Sequence, residues 1–76
     1  MTFHVETRCA EWAAAAFSDE TLENWSEHWD SRARQPITDI KESLRVASWV
    51  FEAGAGNMDV RVVTSKGEII IEEKGE

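Results

Sequence analysis

The chain has 76 residues, room for one domain with a modest core. Fifteen acidic residues against eight basic ones give a net charge of −7, which repels nucleic acid and anionic membranes and favours a protein partner with a basic surface. A lone cysteine, Cys9, excludes an internal disulfide and points to the cytosol; the start MTFHVETR is no signal peptide, and no apolar run is long enough for a membrane span.

In chain order, residues 2–6 alternate, with Phe3 and Val5 on one side and His4 and Glu6 on the other, as in a short half-buried strand. Thr7 then offers a cap for a first helix over residues 8–17. Its apolar face is Cys9, Trp12, Ala13, Ala16 and Phe17, and its alanine run favours helix. Residues 18–34 read as a central helix: Ser18 caps it, Asp19 and Glu20 suit its positive end, and Leu22, Trp25, Trp29 and Ala33 recur at intervals that stack them into a core seam. Glu20, Glu23, Glu27 and Asp30 form a second stripe on that helix, about 120° round from the tryptophans.

Gln35-Pro36 stops the pattern. Thr38 and Asp39 can cap a third helix carrying Ile37, Ile40, Leu44, Ala47 and Phe51 at helical spacing, although the β-branched and aromatic run over residues 44–52 also suits a strand. Gly54 and Gly56 end it in either case. Residues 59–65 and 68–74 then form a hairpin around a two-residue Lys66-Gly67 turn, pairing Val63 with Ile70, Val62 with Ile71, Arg61 with Glu72 and Val60 with Glu73. Val60, Val62, Ile69 and Ile71 share the core-facing side, and Val63 and Ile70 lie on the other. The expected architecture is α+β: a short N-terminal strand, three helices and a C-terminal β-hairpin, with the helices packed on one face of a small antiparallel sheet.

The residues offer little catalytic chemistry. Cys9, His4 and His28 are scattered without the spacing of a metal site, and Cys9 on an apolar helix face is packing rather than a nucleophile. Glu72 and Glu73 point to opposite faces of a strand, and the AGAGN loop lacks the lysine and helix of a phosphate-binding loop. No cofactor, metal or catalytic group is therefore assigned.

The distinctive feature is the stripe Glu20, Glu23, Glu27 and Asp30. Carboxylates roughly 5 Å apart along a helix imitate the charge of a nucleic-acid backbone and can occupy a basic groove. The commonest role of such a stripe is nonetheless a solvated helix face. The tryptophans are likewise a core at helical spacing before they are a recognition surface, and His28 is a surface histidine. The expected function is non-enzymatic: a protein-binding module, an inhibitor or adaptor, that blocks a basic, nucleic-acid-handling protein. The alternative is a structural subunit or homodimer using Val63 and Ile70 or the aromatic surface. The combination of small size, acidity and missing catalytic motifs is similar to that of phage anti-defence proteins, including anti-CRISPR inhibitors, a likeness of class that names no target.

Overall fold

The structure is a computed structural model that describes residues 1–16, 29–31 and 36–76. The N-terminal alternation extends further than its pattern suggests: β1 spans Phe3–Cys9 and pairs antiparallel with β3, Met58–Thr64, along its whole length, from Phe3 opposite Thr64 to Cys9 opposite Met58. Thr7 is consequently a buried strand residue facing Val60 and caps no helix. The first helix is reduced to α1, Glu11–Ala14, which starts after Ala10 with no side-chain cap. A continuous ladder to β3 outweighs the local helix preference at Arg8 and Cys9, because each paired residue satisfies its backbone groups there.

The central helix is corrected in the same way. Asp30–Ser31 form β2, with Asp30 opposite Thr7 and Ser31 opposite Glu6, so a helix does not run through residue 34. The remainder of that expectation, residues 18–28 and 32–34, lies outside the described residues. The sheet has four antiparallel strands in the order β2-β1-β3-β4, with β4 spanning Ile69–Glu73. Among the described residues there are two helices rather than three, and the fold is α+β.

The C-terminal half keeps closer to its sequence pattern. Asp39 caps α2, Ile40–Ala53, its Oδ1 accepting from the Lys41 N–H at 3.1 Å, and Gly54 closes the helix. The strand alternative for residues 44–52 is thereby excluded. Ser43 and Ala47 are buried against the sheet, with Val46, Val50 and Phe51 flanking them over a core of Phe3, Val5, Val60 and Val62. Two small residues at the point of contact let the helix lie close to β1 and β3. Ile40 and Leu44, expected in the seam, are turned to solvent at 41% and 37% exposure. Ile37 precedes the helix and exchanges two backbone hydrogen bonds of 2.8 Å with Phe3.

The hairpin carries a loop one residue longer than expected. Gly67 N–H donates to the Thr64 carbonyl and Thr64 N–H to the Glu68 carbonyl, enclosing Ser65, Lys66 and Gly67, and Gly67 takes φ +87°. The Thr64 hydroxyl oxygen accepts from the Lys66 and Glu68 amides. This shift pairs Val63 with Ile69, and a bulge then leaves Ile70 extra, restoring the expected pairs Val62–Ile71, Arg61–Glu72 and Val60–Glu73.

Candidate functional site

On the sheet face away from α2, strand pairing sets side chains of opposite charge beside one another. Arg8 lies opposite Asp59, and its Nε donates to Oδ2 at 3.0 Å in a pair whose side chains are only 8% and 2% exposed. Glu72 of β4 stands 3.8 Å from the same guanidinium. Arg61 donates to Glu6 across the β1–β3 ladder at 2.7 Å. Arg61 thus stays in register with Glu72 but takes its ion pair from the other neighbouring strand.

Trp29, just before β2, brings its ring within 4.2 Å of the Arg8 guanidinium carbon and 4.1 Å of that of Arg61. The ring rests on cations, not in an apolar helical seam, because β2 delivers it to the charged face of the sheet. Trp25 and His28 lie outside the described residues.

Asp59 connects this cluster to a surface hollow. Its second oxygen, Oδ1, accepts from the Gly75 N–H at 2.8 Å and so ties the segment after β4 to β3. Between that segment and α1 is a hollow of about 390 Å³ lined by Glu11, Trp12, Ala15, Asp59, Lys74, Gly75 and Glu76. The Trp12 ring is half exposed yet held in place, its indole N–H donating to the Gly56 carbonyl at 2.9 Å. With Asp59 buried and held by Arg8 and Gly75, the exposed residues Glu11 and Glu76 against Lys74, beside a fixed aromatic surface, suit a cationic side chain with an aliphatic stem.

Two further concavities flank the sheet. His4, Glu6, Arg61 and Val63 border one of about 270 Å³. Val46, Trp49, Val50 and Met58 border an apolar groove of about 430 Å³, where Trp49 is 70% exposed.

Of the acidic stripe, Asp30 is placed, exposed in β2, while Glu20, Glu23 and Glu27 lie outside the described residues. Cys9 is half-buried at the end of β1, a strand position instead of a helix face. Val63 is buried, whereas Ile69, Ile70 and Ile71 are exposed, so the two apolar residues singled out on the outer sheet face have different surroundings. Sequence reasoning did not identify Glu11, Asp59, Glu76 or Trp12 as a group. Asp59 and Trp12 are brought together by the β1–β3 pairing, and no local spacing signals it.

Among the described residues no group of three or more His, Cys, Asp or Glu side chains is placed to hold a metal, and no helix is long and apolar enough to cross a membrane. No protein-family model, curated protein or solved structure matches the chain.

Proposed function

We propose that this chain is a non-enzymatic, cytoplasmic protein-binding module, an inhibitor or adaptor that takes a basic side chain of a nucleic-acid-handling partner into the hollow beside Trp12. One observation carries the reading: the exposed residues Glu11 and Glu76 border a concavity of about 390 Å³ next to an aromatic ring pinned by its own hydrogen bond. A lysine or arginine entering there would lay its stem on the indole and place its charge among the carboxylates. The net charge of −7 would steer a basic surface toward the protein, an attraction that weakens as salt rises. Inhibition in the manner of phage anti-defence proteins follows if the captured side chain belongs to a nucleic-acid groove.

The test is capture from host lysate after nuclease treatment, comparing the wild type with Glu11→Lys and Trp12→Ala at low and high salt. A nucleic-acid-binding protein retained at low salt, lost at high salt and lost by both variants supports the reading. Equal capture by wild type and variants overturns it. The Trp12 indole N–H resonance, followed during titration with a lysine-containing peptide, gives a direct second measurement: it shifts if the hollow is the site and stays still if it is not.

A further inference from the structure

The hollow beside Trp12 is bordered by two segments far apart in the chain, and both are anchored to one short loop. On one side α1 carries Glu11 and Trp12. The Ala10 N–H just before it donates to the Asn57 carbonyl at 2.8 Å, and the Trp12 indole N–H donates to the Gly56 carbonyl at 2.9 Å. On the other side the segment 74–76 is tied to β3 through the Gly75 N–H, which donates to Asp59 Oδ1 at 2.8 Å. That segment also lies directly on the loop: a Cβ on Gly56 would collide with the Glu76 carbonyl, and one on Gly75 would stand 2.6 Å from the Gly56 carbonyl oxygen. The loop itself, residues 54–57 between α2 and β3, is tightly closed. Its Gly54 carbonyl accepts from the main-chain and side-chain amides of Asn57 at 2.9 and 3.0 Å, and Ala55 and Gly56 in succession hold φ of +49° and +83°. Glycine enters that region freely, whereas an alanine there is strained and stays only because its surroundings hold it.

We infer that Gly56 and Asp59 are the positioning residues of the hollow, fixing its aromatic wall and its acidic wall relative to each other without touching the captured cation; this role rests on the proposed capture of a basic side chain. Gly56 does not line the hollow, and Asp59 borders it but is 1% exposed, with one oxygen on the Arg8 guanidinium and the other on the Gly75 N–H. A buried ion pair that served packing alone could be replaced by apolar side chains of similar size. A carboxylate at position 59 does something more, since its second oxygen holds the segment 74–76 while the first holds Arg8. Neutralised in this way, Asp59 leaves the attraction to Glu11 and Glu76, one on each wall. The spacing of those two carboxylates, and with it the field in the hollow, is set by how firmly the two segments are anchored. Walls ordered before binding leave less freedom to be lost when a cation enters.

Hydrogen exchange and peptide binding test this on the wild type, Arg8→Met/Asp59→Asn, Arg8→Met/Asp59→Leu and Gly56→Ala, with slow exchange of the β3 amides verifying that each sheet is intact. Both double variants lack the ion pair, and they differ in whether residue 59 can accept from Gly75. The Gly75 amide should exchange slowly in the wild type and in the Asp59→Asn form, and roughly tenfold faster or more in the Asp59→Leu form. The binding probe is a short peptide with one lysine and blocked ends, titrated at low salt and followed by the Trp12 indole N–H resonance. It should bind the Asp59→Leu form and Gly56→Ala roughly tenfold more weakly than the wild type, and the Asp59→Asn form should keep most of the affinity. A role in stability alone would leave the affinities of the folded proteins equal. Equal Gly75 exchange in the two double variants overturns the inference, as does an unchanged affinity in the Asp59→Leu form once its Gly75 amide is freed. A peptide that binds none of these proteins overturns the capture of a basic side chain instead, and the exchange rates then decide the positioning role by themselves.

Discussion

Replacing Arg8 by methionine would strand the carboxylate of Asp59, which is 1% exposed and would keep its hydrogen bond from the Gly75 N–H but lose the one from the guanidinium. Removing one member of a buried ion pair costs about 3–5 kcal/mol, mostly because the other charge remains desolvated. A domain of this length has a total stability of about 4–11 kcal/mol, so the loss is a large share of it. With an unfolding entropy of about 160 cal/mol/K at this size, 3 kcal/mol corresponds to a fall in Tm of about 20 °C. The second variant, Arg8→Met/Asp59→Asn, removes both charges while the amide oxygen still accepts from Gly75. It should recover at least half of the lost Tm, since no charge is left buried. Thermal melts followed by far-ultraviolet circular dichroism, with urea titration as a second axis, measure both. A single-variant Tm within about 5 °C of wild type would refute the reasoning, for it would mean that water reaches Asp59. A double variant no more stable than the single one would refute it differently, by showing that the arginine acts through packing on Trp29 and not by neutralising Asp59.

Other substitutions probe the frame around the site. Val62→Ala empties a fully buried position in the centre of the sheet and should cost roughly 2 kcal/mol in urea unfolding. Asp39→Ala removes the α2 cap and should cost about 1 kcal/mol, a loss that Asp39→Ser largely avoids. Gly67→Ala meets open space and suffers only from its positive φ, about 1 kcal/mol. Gly75→Ala should cost more, because its Cβ would stand 2.6 Å from the Gly56 carbonyl oxygen and 2.7 Å from that of Met58. If the two glycine variants melt together, the segment after β4 is not held against β3 as described.

The parts of the fold legible in the sequence are those whose signals are local. Asp39 and Gly54 mark the ends of α2 within a residue because capping involves neighbouring amides. The hairpin arms and three of their pairs follow from alternation and a glycine turn, and the error at Val63 arose from counting a two-residue loop where Thr64 closes a three-residue one. The helix expectations at residues 8–10 and at Asp30 failed for the opposite reason. Alanine content and three-four spacing describe what a segment prefers alone, and pairing with β3 and β1 supplied a stronger alternative.

The same division holds for the candidate site. Charge, length and the lack of spaced metal ligands followed from composition, which no folding alters. That Arg8 meets Asp59, 51 positions away, that Trp29 lies on two guanidinium groups, and that Trp12 and Trp49 face solvent were decided by tertiary structure. Side chains so far apart in the chain become neighbours only through strand register. A one-residue slip in that register would move each of them to the other face of the sheet.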